Sequence, residues 1–161
     1  MLRELQVIMG KPAVSSYKAG EETITTGMAV VKNETDKTFE FASAETAADL
    51  YFVDKERIPT GINAARENMS DYDADFTTLV EGDFGKLINY LPGERFATDA
   101  YVETGIVAGV RLSANTAGKI VKAATTVASK YVCGGFYTDN GHKLVIVEVS
   151  DTADKNASQL D

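Results

Sequence analysis

The side chains that most often carry chemistry are scarce in this sequence. There is one histidine, His142, and one cysteine, Cys133. A nucleophilic triad needs a base beside its nucleophile, and a structural zinc site needs several His or Cys ligands at close spacing. His142 follows Asp139-Asn140-Gly141, which is typical of a hairpin turn, and Cys133 lies in an apolar run. We therefore interpret His142 as a turn residue and Cys133 as a buried core residue.

Acidic residues offer a second possibility for chemistry. The segment Asp71-Tyr72-Asp73-Ala74-Asp75 places carboxylates at alternate positions, as at the start of an EF-hand calcium loop. Phe76 and Gly82 stand where that loop requires Gly and Glu, so the pattern favours a solvated acidic loop. A glycosidase-like pair of carboxylates stays open, because their separation in space is not visible in a sequence. No phosphate-binding glycine motif occurs. We expect no catalytic residue, no metal site and no cofactor. We therefore expect that the protein is not an enzyme.

The length, net charge and apolar content of the chain argue against two classes of partner, nucleic acids and membranes. The chain has 161 residues, a length typical of one domain. Its formal net charge of −8 repels phosphate backbones, so we expect no nucleic-acid partner. No stretch approaches the roughly 18 apolar residues that a membrane span needs, so we expect no membrane partner.

Short β-branched runs separated by Gly and Asn predict an all-β fold, a small antiparallel β-barrel or sandwich. We predict turns at Gly134-Gly135 and Asp139-Asn140-Gly141, a helical turn over residues 44–49 and a loop over residues 95–99. The predicted strands cover residues 23–32, 38–42, 50–53, 76–81, 83–90, 109–112, 119–123 and 144–149.

The domain organisation follows from these elements. Residues 1–20 are predicted to form an N-terminal arm and linker, residues 21–151 the β-domain, and residues 152–161 a polar tail. Residues 2–9 alternate imperfectly before Pro12, which predicts an extended arm or an edge strand. Residues 54–75 form a long, strand-poor middle loop inside the β-domain, and connections of that length are often functional.

A weak internal echo relates the two halves of the chain. Residues 26–30 (TGMAV) resemble residues 108–112 (AGVRL), and residues 35–42 resemble residues 116–123. The shared order is glycine, strand, turn, strand, small-residue loop, strand. Common hairpin patterns could produce this order without duplication, so the sequence leaves both explanations open.

The C-terminal third resembles a known family. Its segments are GIVAGVRL at residues 105–112, GKIVKA at 118–123, VCGGF at 132–136 and LVIVEV at 144–149, preceded by RFATD at 95–99. In this order they are similar to the small capsid decoration (cement) proteins of tailed bacteriophages. The resemblance implies a virion structural protein on the outer capsid surface. It further implies the major capsid protein as partner, self-association as a dimer or trimer, and assembly in the host cytoplasm.

Within that hypothesis, two segments are the expected contacts with the capsid. The arm would supply apolar anchors and the middle loop would combine apolar and arginine side chains, which interfaces favour. Two alternatives stay open: a phage tail or head–tail connector component, and a sugar-binding β-domain. The expected interface residues are Leu2, Leu5, Val7, Ile8, Arg57, Ile58, Arg66 and Met69.

Overall fold

The chain is built from strands. The computed structural model describes residues 1–8, 14–20, 23–54 and 77–157, and these residues form thirteen strands and no helix. Accordingly, they contain no helix that could cross a membrane. The all-β prediction is confirmed. The strands are β1 (Leu2–Gln6), β2 (Lys18–Ala19), β3 (Ile24–Thr25), β4 (Ala29–Asn33), β5 (Thr38–Glu40), β6 (Tyr51–Asp54), β7 (Thr78–Leu79), β8 (Lys86–Ile88), β9 (Arg95–Thr98), β10 (Arg111–Ala114), β11 (Ile120–Lys122), β12 (Ser129–Asp139) and β13 (His142–Asp154).

The strands of the described residues form three sheets. The largest has six strands in the order β1-β9-β13-β12-β10-β11, and the second has five in the order β2-β5-β4-β6-β8. Strands β3 and β7 form a two-stranded sheet. All pairs are antiparallel except β2 with β5, and the sheets include a curled half-barrel. The segment expected as an arm or an edge strand is β1, the edge strand of the six-stranded sheet.

Two parts of the chain share one strand order. In residues 14–88 four strands lie in the order β5-β4-β6-β8, and in residues 96–148 the corresponding order is β11-β10-β12-β13. We call these parts the first repeat and the second repeat. In each set of four, the first two strands in sequence form a hairpin and the first also pairs with the third, so both sets follow the same topology.

The backbone register also repeats. The Gly27 N–H donates to the Val53 carbonyl at 2.8 Å, and the Gly109 N–H donates to the Cys133 carbonyl at 2.7 Å. Both glycines have a positive φ, 93° and 88°, which glycine adopts without a Cβ clash. The echo in the sequence therefore corresponds to a repeated structure. Further matching pairs are Val14↔Leu87 with Phe96↔Val147, Val31↔Glu40 with Ser113↔Val121, and the parallel pairs Ala19↔Phe39 with Tyr101↔Ile120.

The main core is aromatic at its centre. Phe52 of β6 lies 4.4 Å from Phe96 of β9 and 5.7 Å from both Tyr90 and Tyr131, measured between ring centroids. All four side chains are fully buried. Offset and edge-on aromatic contacts of this kind add to the free energy gained by burial. Because Phe52 belongs to the first repeat and Phe96 and Tyr131 to the second, this cluster joins the two repeats.

Three local predictions are wrong. Residues 95–99 are not a loop: β9 lies between β1 and β13, and three consecutive residues, Phe96, Ala97 and Thr98, are buried, so no apolar–polar alternation marks it. Residues 44–49 form bends and one bridge, Thr46↔Ala114, rather than a helical turn. Gly134-Gly135 is no turn: it lies inside β12, at a register shift between Cys133 and Gly135 that marks a β-bulge.

The predicted turn at the tip of the β12–β13 hairpin is confirmed. Asn140 and Gly141 both have positive φ, 46° and 85°, and Asp139 pairs with His142 on either side of them. Two successive positive φ values are the requirement of a type I′ turn, which matches the twist of the flanking strands. The turn chemistry of this segment thus determines where the longest hairpin reverses.

Candidate interaction surface

Three large apolar side chains are exposed around the end of β1. Leu5, Ile8 and Leu91 expose 43%, 53% and 43% of their surface. Glu94 is only 1% exposed, and its Oε1 accepts the Ile8 N–H while its Oε2 accepts the Leu91 N–H, both at 2.6 Å. One carboxylate therefore holds Ile8 and Leu91 side by side. We call Leu5, Ile8 and Leu91 the edge patch.

Leu5 is the member of the edge patch that lies in β1; Ile8 follows β1, and Leu91 lies in the turn before β9. Strand β1 pairs with β9 in a register that shifts between Glu4 and Gln6, so that Leu5 lies in a bulge. The Arg3 guanidinium binds the Asp139 carboxylate at 2.7 Å and ties β1 to the tip of the long hairpin. Bulges and charged residues on an edge strand oppose indiscriminate strand pairing. The exposed apolar side chains are therefore available for a specific contact rather than for aggregation.

The structure separates the expected interface residues into three groups. Leu2 and Val7 are partly buried and pack against the main core. Leu5 and Ile8 are exposed and belong to the edge patch. The four expected residues of the middle loop lie outside the described residues: Arg57, Ile58, Arg66 and Met69.

Two residues that build the edge patch were not predicted from the sequence. No sequence pattern singled out Leu91, which follows the predicted strand at residues 83–90, or Glu94. The turn is closed by a hydrogen bond from the Glu94 N–H to the Leu91 carbonyl at 3.0 Å, and Gly93 supplies a positive φ of 87°. A Glu after Pro-Gly was the available signal, but its burial depends on β1, which is distant in sequence.

Ionisable side chains converge at one point of the first repeat. Glu34 accepts a hydrogen bond from the Tyr17 hydroxyl and lies 3.1 Å from Lys37 Nζ and 3.2 Å from Lys32 Nζ. Hydrogen bonds from Tyr17, then Lys37 and Lys32, lower the pKa of Glu34 to about 2. The same carboxylate raises the pKa of Tyr17 and of Lys37, while a hydrogen bond with Tyr51 raises that of Lys32. Every shift moves the pKa of its group further from pH 7. The cluster is therefore suited to an ion-pair network and poorly suited to proton transfer at pH 7.

An open cavity of about 440 Å³ adjoins this cluster. Its wall includes Tyr51, whose ring would offer a face to a sugar, beside the carboxylates of Glu34 and Asp49. Lys32 Nζ, however, lies 4.8 Å from the Tyr51 ring centroid and 5.1 Å from that of Tyr17. Because the ammonium group already covers these aromatic rings, the cavity gives the sugar-binding alternative no specific support.

Cys133 and His142, the two residues considered as reactive from the sequence, lie in the core and beside a turn. Cys133 is buried in the core, and burial raises the pKa of its thiol, which makes it a poor nucleophile. His142 opens β13 beside the hairpin turn. Within the residues that the structure describes, no three His, Cys, Asp or Glu side chains converge as a metal site would require. The acidic segment at residues 71–75 lies outside the described residues.

Comparison with known proteins does not assign the chain to a family. The chain matches no protein-family model, no curated protein and no solved structure.

Proposed function

We propose that this chain is a virion structural protein that binds the outer surface of a tailed-phage capsid and stabilises it by bridging adjacent major capsid proteins. It would join the shell in the host cytoplasm as a dimer or trimer and remain on the virion. The observation that carries the proposal is the edge patch, three exposed large apolar side chains on backbone that is held by pairing with β9 at Leu5 and by hydrogen bonds to Glu94 at Ile8 and Leu91. The resemblance of the C-terminal third to capsid decoration proteins supplies the identity of the partner.

The edge patch fits a contact that is modest for one copy and strong for many. Complete burial of a Leu or Ile side chain contributes about 1.5–3 kcal/mol. Since roughly half of each side chain in the patch is already buried, docking would add about 1 kcal/mol for each, or about 3 kcal/mol for the three. That sum is insufficient for one stable contact, but a self-associated decoration protein engages several capsid subunits at once and gains avidity. Binding to the assembled shell alone then stabilises the shell by mass action.

Co-sedimentation with capsids that lack their decoration protein tests the proposal. The variant carries Ile8→Lys and Leu91→Lys, which replace two patch side chains with charges. Val80→Lys is the matched control, because Val80 is 55% exposed and lies outside the patch. Substitutions are preferable to deletion of β1, because Met1 is buried and Leu2 packs against the core.

The wild-type chain and the Val80→Lys control should pellet with capsids to the same saturable level. The double variant should bind at least about 30-fold more weakly, the equivalent of about 2 kcal/mol. Equal pelleting of all three would remove the edge patch from the proposal. Pelleting of none would remove the capsid as partner, and tubes or rings of the free protein in electron micrographs would favour the tail component instead.

A further inference from the structure

The two repeats differ at one edge, and the difference exposes unpaired backbone. In the first repeat, β3 is covered by β7: Ile24 pairs with Leu79, Thr25 pairs with Thr78, and the Thr26 N–H donates to the Thr77 carbonyl at 2.8 Å. Strand β7 follows the long middle segment of the chain. The second repeat has a two-residue turn, Asn140-Gly141, in place of that segment.

Register identifies the corresponding edge in the second repeat. The Met28 N–H donates to the Thr25 carbonyl at 3.1 Å, and the Val110 N–H donates to the Val107 carbonyl at 3.2 Å. Residues 106–108 therefore correspond to residues 24–26. Ile106, like Ile24, is buried, whereas Val107 is 60% exposed. We call residues 106–108 the acceptor edge.

No described residue covers the acceptor edge. The Ala108 N–H, which corresponds to the Thr26 N–H, has no backbone partner among the described residues, and Ala108 is exposed. An N–H donor and a carbonyl acceptor on either side of an exposed Val107 are what an incoming antiparallel strand needs. Residues 106–108 form no strand themselves, and their exposed backbone groups are of the kind to which extended peptides add.

The second repeat does not need such a strand in order to fold. In the first repeat a Cβ on Gly85 would come within 2.7 Å of Phe39 Cζ and 3.0 Å of Leu79 Cδ1, so glycine there makes room for Phe39 and for the leucine of β7. Gly85 and Val145 each stand two residues before the matched positions Leu87 and Val147, and Val145 is fully buried. Val145 therefore supplies buried apolar volume in the second repeat at the position where the first repeat has a glycine. The acceptor edge can therefore be vacant in a stable protein and occupied reversibly.

We propose that the acceptor edge binds an extended, β-branched and basic segment of another protein, which adds to residues 106–108 as β7 adds to β3. The net charge of −8 attracts a basic segment and makes two copies of this chain repel each other, which favours a different protein as occupant. Exposed Val107 offers an apolar contact to a side chain of the incoming strand. This proposal does not depend on the capsid as partner.

Peptide titration of the full chain tests it, with amide signals followed by NMR. The probe is the peptide KTTLVK, which carries residues 77–80, the segment that contains β7, between two lysines; ETTLVE is the matched acidic control. KTTLVK should shift the amide signals of Val107 and Ala108 and slow solvent exchange of the Ala108 N–H about tenfold at saturation. ETTLVE should bind more weakly, and the difference should shrink at high salt.

Two pairs of variants make the test specific. Val107→Lys and Val80→Lys add the same charge, but only the first lies on the acceptor edge, so only Val107→Lys should weaken binding, about tenfold. Ala108→Pro removes the donor and should abolish binding while the signals of the β12–β13 hairpin stay in place. Absence of shifts at Val107 and Ala108 up to about 1 mM peptide, the weak end of specific binding, would overturn the proposal. Equal binding by both lysine variants would also overturn it, as would shifts that depend on protein concentration alone, which would indicate pairing between copies.

Discussion

Gly27 and Gly109 form a natural matched pair for mutagenesis, because the two repeats place them at the same backbone position. Both have φ near +90°, 93° and 88°, and both donate to the third strand of their repeat. They differ only in their surroundings. A Cβ on Gly27 would meet the Met1 carbonyl oxygen at 2.6 Å and would also clash with the Thr98 hydroxyl, whereas a Cβ on Gly109 would have no atom within 4 Å.

The expected costs follow from these contacts. Alanine in a left-handed conformation costs about 1–2 kcal/mol, and reduced entropy of the unfolded chain returns about 0.5 kcal/mol. Gly109→Ala should therefore lower the free energy of unfolding by about 1 kcal/mol. Gly27→Ala carries the same backbone strain and adds about 2 kcal/mol, because fixed backbone must move to accept the methyl group. The buried hydrogen bond from the Thr98 hydroxyl to the Gly27 carbonyl, 2.9 Å long, would be disturbed as well.

Urea unfolding followed by far-ultraviolet circular dichroism measures both values; the chain has no tryptophan to report by fluorescence. With a slope of about 2 kcal/mol per molar urea, the two variants should differ by about 1 M in their midpoints. The comparison is valid only if both slopes equal that of the wild type. Equal midpoints, or a lower midpoint for Gly109→Ala, would refute the crowding around Gly27 and with it the packing of β1 against the first repeat.

Three further predictions concern the core, the ion-pair cluster and the buried thiol. Phe52→Ala should lower the free energy of unfolding by about 3–5 kcal/mol in the same assay, because it empties the centre of the aromatic cluster; a loss below about 1 kcal/mol would contradict the packing. Because folding lowers the pKa of Glu34 to about 2, its stabilising effect is present above its ordinary pKa of 4.5 and lost as the pH falls from there towards 2. Glu34→Gln should therefore melt at a lower temperature than the wild type at pH 7 and at the same temperature near pH 2, and equal melting temperatures at pH 7 would contradict the ion-pair network. Cys133 should react with a thiol reagent only in denaturant, and rapid reaction of the native protein would show that the core opens there.

The sequence predicted best the elements whose signals are local. The type I′ turn at Asn140-Gly141 depends on two adjacent residues, and the neighbouring run at residues 144–149 lies within β13. Strand β9 was missed because its partners, β1 and β13, are far away in sequence and bury both of its faces. Gly134-Gly135 misled for a related reason: glycine marks a bulge within a strand as readily as a turn.

The repeat was visible in the sequence only as an echo, for a physical reason. What repeats is the hydrogen-bond register, which depends on the backbone. The side chains at matched positions of the two repeats differ, as do Ala19 and Tyr101, or Phe39 and Ile120. Substitutions that keep residues buried preserve such a structure while removing the identities that would reveal it.

The edge patch was half predictable. Alternation near the N-terminus indicated Leu5 and Ile8, but not the buried carboxylate that holds Ile8 beside Leu91. A contact between residues so distant in sequence is set by the sheet order.

Binding to assembled shells, compared with binding to unassembled major capsid protein, tests the central claim most directly. We predict saturable binding to the shell and no detectable binding to the free subunit at the same concentration, because the proposed site lies across neighbouring subunits. Equal affinity for both would contradict bridging, and failure to bind either would contradict a role on the capsid.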